Sequence, residues 1–140
     1  MKNAIGEKLW IIPDMYWPLI TSQGSYVSHE SICVLNPSDT DCEITINLYF
    51  EDREPIRGLK VLCKAERTHH VRMDGLLDHT GRHLPRGVPY AAVVECSVPV
   101  VVQYTRVDTT QSENALMTTM AFPVKEPVKE SVKELEKEPV

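Results

Sequence analysis

The chain has 140 residues, a length that fits one domain with a usable core and leaves little room for a second. Its 42% hydrophobic and 25% charged residues are those of an ordinary globular protein. The net charge of -5 argues against a dedicated nucleic-acid binder, which carries a basic balance or stripe. No apolar run is long enough to span a bilayer and the N-terminus has no apolar signal-peptide core, so the expectation is a cytoplasmic protein.

In chain order the first predicted strand is "KLWII", which makes Trp10 a core candidate. A loop follows over 13–27. "SHESICVLN" places Ile32 and Val34 in one row, and "CEITINLYFED" places Ile44, Ile46, Leu48 and Phe50 in one row. The connection "NPSDTD" is rich in turn formers, so Ser28–Asn36 and Glu43–Asp52 are predicted to form a hairpin. "IRGLKVLC" and "ERTHHVRM" read as two more strands, followed by a loop over 74–87. "PYAAVVEC" and "PVVVQYTRV" read as a second hairpin joined around Ser97. After a loop over 108–113, "NALMTTMAF" supplies the last strand. The total is about eight short strands, which predicts an all-β fold, an antiparallel β-sandwich over 1–123. Residues 124–140, "VKEPVKESVKELEKEPV", form a low-complexity charged tail, disordered or marginally helical. Cys33, Cys42, Cys63 and Cys96 form no CxxC pair and lie in or beside apolar runs, the pattern of core thiols.

Three apolar rows end in charge. Glu30 shares a row with Ile32 and Val34, Asp52 with Leu48 and Phe50, and Arg106 and Asp108 with Val100, Val102 and Tyr104. Under the predicted hairpins these ends emerge together at one end of the sheet. Bare charges are not buried without partners. The cluster reads as a polar pocket in which Arg106 pairs with Glu30, Asp52 or a ligand anion, since a guanidinium suits bidentate carboxylate or phosphate contacts. The alternative is a surface ion pair where the strands leave the core, worth under about 1 kcal/mol.

Other candidates are weaker. His69 and His70 point to opposite sheet faces, and His79 and His83 flank Gly81 in a loop, so no metal site is expected. Tyr16 and Trp17 sit on a proline-flanked loop and could stack on a sugar or base. Nucleophile-elbow, Walker, HExxH and zinc-spaced cysteine motifs are absent, and the chain is expected to be neither an enzyme nor a cofactor protein. A hydrolase using Glu30 and Asp52 as paired carboxylates ranks last.

The segments "SHESICVLN", "YFEDREPI", "RTHHVRMD", "PRGVPYAAVVECSVPVVVQYTRVD" and "ENALMTTMAFP" together resemble the sensory rhodopsin transducer family, in order, from about Gly6 to Pro123. The resemblance implies a small β-sandwich that assembles as a homotetramer. It implies a non-enzymatic domain that binds a small polar or anionic metabolite, with sugars or related compounds suggested. The alternative it carries is a transducer that docks on a membrane photoreceptor from the cytoplasmic side. The matching positions are Trp10, Ser28, His29, Glu30, Asn36, Glu51, Asp52, Arg67, Gln103, Arg106 and Asp108. Of these, the expected ligand-binding set is Glu30, Asp52, Arg106, Asp108, Gln103, Asn36, His29 and Trp10. Met15 stands where the family suggests a small residue, and the Val-Lys-Glu tail matches no family motif.

Overall fold

The computed structural model describes residues 1–19, 24 and 26–125. The rest of the Val-Lys-Glu tail lies outside the described residues. Eight strands follow in order: β1 (Glu7–Tyr16), β2 (His29–Asn36), β3 (Cys42–Phe50), β4 (Ile56–Cys63), β5 (Arg67–Arg72), β6 (Pro89–Asp108), β7 (Ala115–Met120) and β8 (Phe122–Val124). All pairings are antiparallel. Apart from a single 3-10 turn at Met73–Gly75, no helix is present among the described residues.

The 20-residue strand β6 organises everything else. Its first part pairs with β1 and with β3 up to Cys96, within a sheet ordered β4-β3-β6-β1-β8. Its last part, from Val101, pairs with β2 and β7, and β5 adds to β2. One strand thus serves two sheets, exchanging partners between Cys96 and Val101. Opposite this exchange the register with β1 jumps, Glu7 facing Val100 while Leu9 faces Glu95. Pro99 sits inside the jump, where a residue without an N–H costs the ladder least. Gly6 lies against the same point: a Cβ there would stand 1.9 Å from the Val100 carbonyl oxygen, and its φ is +104°. Only glycine allows that approach in that conformation.

The two parts of β6 fold over a common core. Val94, Val98, Val100, Val102 and Tyr104 are buried from one strand, with Ile32 and Val34 from β2 and Ile44, Ile46 and Leu48 from β3. The arrangement is consistent with the expected sandwich.

Two predicted hairpins are corrected. β2 and β3 do not pair: β2 lies between β5 and β6, and β3 between β4 and β6. The turn chemistry of "NPSDTD" therefore passes the chain from one sheet to the other. Nor is there a hairpin at Ser97, where the chain bends instead of reversing. The expected strand count still holds, because the fused strand is offset by a division at Ala121 between β7 and β8. β1 also runs further than expected, to Tyr16, and Met15 is a fully buried strand residue in it rather than part of a loop. The four cysteines are free thiols, three of them buried.

Candidate functional site

The bend in β6 brings together two tyrosines that a straight strand would hold far apart. Fourteen residues separate Tyr90 from Tyr104, about 46 Å in an extended strand. Both hydroxyls nevertheless donate to one carboxylate, that of Glu30. Tyr90 Oη reaches Oε1 at 2.6 Å, and Tyr104 Oη donates to Oε2. The Tyr16 N–H adds a third donor to Oε2 at 2.9 Å. Glu30 itself is 1% exposed. A buried carboxylate needs this number of donors to offset its lost hydration.

Arg106 is the positive partner. It faces Glu30 directly in the β2–β6 register. Its Nε donates to Tyr104 Oη at 3.2 Å, so the tyrosine hydroxyl relays between guanidinium and carboxylate. The guanidinium carbon lies 5.9 Å from the Tyr16 ring centroid and 5.8 Å from that of Tyr104, within cation–π range. Among the described residues Nη2 is buried without a hydrogen-bond partner, and its nearest carboxylate, that of exposed Asp14, stands 3.6 Å away. Asp14 owes its position to a bulge in β1, where the register slips between Ile12 and Met15 and turns Pro13 and Asp14 outward.

These contacts set the protonation states. Burial, followed by the charge of Glu30, pushes the Tyr90 hydroxyl well above its ordinary value and raises that of Tyr104. Both remain donors. Burial alone would lower the Arg106 pKa, but Tyr104, Glu30 and Asp14 outweigh it and the value rises. Next to the cluster an open cleft of about 390 Å³ is lined by Asp14, Tyr49, Phe50, Glu51, Pro89 and Tyr90, among others. Phe50 stacks on Tyr90 with ring centroids 5.9 Å apart. Asp14 and Tyr90 belong to both the cleft and the cluster.

Of the eight residues expected to bind a ligand, the structure gathers Glu30 and Arg106, with Asp108 one row position further out. Asp108 accepts from the Thr110 N–H at 2.9 Å, and its hydrogen bonds to Thr110 lower its pKa. Asp52 stands apart: with β2 and β3 unpaired it never comes opposite Glu30, and it lies exposed beside Arg53 at 3.1 Å. Asn36 is buried at the far end of β2, where its amide donates to the carbonyls of Thr40, Cys63 and Lys64. Gln103 donates to Thr118 on the outer side of β6 and β7. His29 Nδ1 pairs with the Val27 carbonyl. Trp10 is core, and its indole N–H donates to the Glu7 carbonyl. Trp17 is half-buried under the Arg86 guanidinium and donates to the Ser28 carbonyl. No group of three or more potential metal ligands occurs among the described residues.

Sequence reasoning missed Tyr90, Asp14 and the Tyr16 N–H. A proline inside a strand was the available signal for the bulge that carries Asp14. Nothing local marked Tyr90, whose role depends on the bend.

Residues 5–123 match the family described as Anabaena sensory rhodopsin transducer. The chain belongs to that family. A crystal structure of Thermotoga maritima 1070 is similar at TM-score 0.76 and 34% identity, covering 85% of this chain and 96% of that one. The structure of the Anabaena sensory rhodopsin transducer is similar at TM-score 0.66 and 34% identity, covering 78% of this chain and 95% of that one. No curated protein matches the chain. The matched span contains all eight residues of the expected ligand-binding set.

Proposed function

We propose that this transducer-family domain is a non-enzymatic sensor that binds a small polar or anionic metabolite, a sugar or related compound, at the Arg106 end of the buried cluster. The observation that carries this reading is Arg106 Nη2, a buried cationic donor without a hydrogen-bond acceptor among the described residues. Glu30 is already supplied with three donors and serves to fix Tyr90, Tyr104 and Arg106 in place. The adjoining cleft offers what a hydroxyl-rich ligand uses: carboxylates on Asp14 and Glu51, and aromatic faces on Tyr49 and Phe50. A carboxylate-pair hydrolase finds no support, since Asp52 and Glu30 do not face each other across a strand pair.

The test is a thermal-shift screen against sugars, sugar acids and sugar phosphates. A ligand at a hundred times its dissociation constant adds about 2.7 kcal/mol of stability. Absence of any shift across all three classes would count against the reading.

A second reading is a signal transducer that docks on a membrane photoreceptor from the cytoplasmic side. The family description and the matched transducer suggest it. Every residue of β7 is exposed, and Leu116, Met117, Met120 and Phe122 place apolar surface on and beside this edge strand. Unprotected apolar edges of this kind are normally covered by a partner. We assign that cover to further copies of the chain, in a homotetramer. Light scattering should give four chain masses at micromolar concentration, and a monomer mass would refute the assembly. Pull-down by a sensory rhodopsin, with no ligand found in the screen, would favour the second reading.

A further inference from the structure

Positive charge is concentrated at one edge of the molecule. Residues 56–72, which comprise β4, the turn after it and β5, contain five Lys or Arg and one Glu. That segment carries +4, so the other 123 residues carry -9 to give the total of -5. β4 and β5 are each an edge strand of one of the two sheets.

The charge there is available. Arg72 is held by Asp74 at 2.8 Å. Among the described residues, no carboxylate lies within ion-pair distance of Arg57, Lys60, Lys64 or Arg67. Arg57 leans on Tyr49, Lys60 donates to Thr45 Oγ1, and Arg67 donates to the Glu66 carbonyl. Acids on this side are Glu66 in the turn, Asp41, which caps the Ala65 N–H, Glu43, opposite Leu62, and Glu95, which shares an open cleft with Lys60 and Leu62.

Apolar surface lies inside this charge. Lys60, Leu62 and Lys64 occupy alternate positions along and just beyond β4, all exposed, with Leu62 between two ammonium groups. Beside them an open groove of about 560 Å³ runs between the edges of β4 and β5, lined by Val61, Leu62, Lys64, Arg67, Thr68 and His69. Cations spread along an edge with an exposed leucine among them match a lipid interface, where the leucine enters the acyl boundary and the lysines stay with the headgroups. A polyphosphate chain offers that leucine no partner. No single anion cradle is built here, as a discrete phosphate ligand would require.

We propose that the β4–β5 edge docks on an anionic phospholipid surface. The -9 carried by the rest of the chain is repelled from the same surface, so contact also orients the molecule, with this edge toward the bilayer. Each exposed Lys or Arg near such a surface contributes about fivefold in partitioning, and the attraction falls away with salt.

The test is co-sedimentation of the full-length chain with vesicles of phosphatidylcholine alone and of phosphatidylcholine with phosphatidylserine. Binding should rise at least about tenfold with the anionic lipid and disappear at high salt. The variant K60E/K64E/R67E should lose it, and Leu62→Ser should weaken it at unchanged charge. K60Q/K64Q/R67Q replaces the charge-reversal variant if that one does not fold, and should lose binding as well. Equal binding to both vesicle types, no binding to either, retention of binding by the neutralised variant, or preference for duplex DNA over anionic vesicles would each overturn the proposal.

Discussion

Tyr90 and Tyr104, on one continuous strand, donate to the two oxygens of the same buried carboxylate, that of Glu30. That convergence is possible only because β6 changes sheets at its middle. It links the bend in the backbone to the chemistry at Arg106. The Arg106 Nε bond to the Tyr104 hydroxyl adds the cation to the same unit.

Alkaline destabilisation follows from the two tyrosines. Their folded pKa values lie above the ordinary value, raised first by burial and then by Glu30. Their contribution is therefore fully present below the unfolded pKa of about 10 and is lost as pH rises above it. Two such groups give a slope that grows through a pH of about 10 and approaches about 2.7 kcal/mol per pH unit above it. Urea denaturation from pH 9 to pH 11 measures it. Tyr90→Phe should remove about half the slope; an unchanged slope would place the linkage elsewhere.

The cluster should behave as one unit under mutation. Glu30→Ala leaves Arg106 buried without its carboxylate and should cost about 3–5 kcal/mol. Tyr90→Phe removes one hydrogen bond to a charged acceptor and should cost about 1.5–3 kcal/mol. The double variant should cost clearly less than the sum, because both changes delete the same bond. Additive costs in the same denaturation experiment would show that the two side chains are independent.

Gly6→Ala should be among the most damaging exposed-site substitutions in the chain. The new Cβ would collide with the Val100 carbonyl in a left-handed backbone conformation, and strain and overpacking together should cost about 2–5 kcal/mol. Gly81→Ala is the control: its φ of +82° carries strain, but nothing lies within 4 Å of the added carbon. Equal melting temperatures for the two variants would mean that the approach at Val100 relaxes freely.

Much of this architecture could be read from periodicity. The inward rows of β2, β3 and β6 follow the alternation of Ile32 and Val34, of Ile44 to Leu48, and of Val100 to Tyr104. Pairing could not be read in the same way. Turn formers at Asn36–Asp41 show that the chain changes direction, but the same chemistry serves a hairpin or a crossing between sheets. Pro99 likewise marks an interruption, and a bend satisfies it as well as a turn does. At the site, Glu30 and Arg106 stood out as charges ending apolar rows. Tyr90 did not, because its partner lies 60 residues away and is reached only through the bend. Asn36 is the converse case: an amide in a family motif, its side chain is engaged by backbone groups of its own turn and of Cys63 and Lys64.

The central claim is that Arg106 anchors a ligand, and the direct measurement is paired: melting temperature and affinity for a ligand found in the thermal-shift screen, for the parent, Arg106→Lys and Arg106→Ala. A lysine keeps the charge but loses the forked geometry. Binding should weaken in both variants, by about 1.5–3 kcal/mol for alanine, roughly 10- to 150-fold. Asp14→Asn, which removes the carboxylate 3.6 Å from Nη2, should leave affinity for an anionic ligand equal or tighter. Unchanged affinity in Arg106→Ala, whatever happens to its melting temperature, would contradict the assignment.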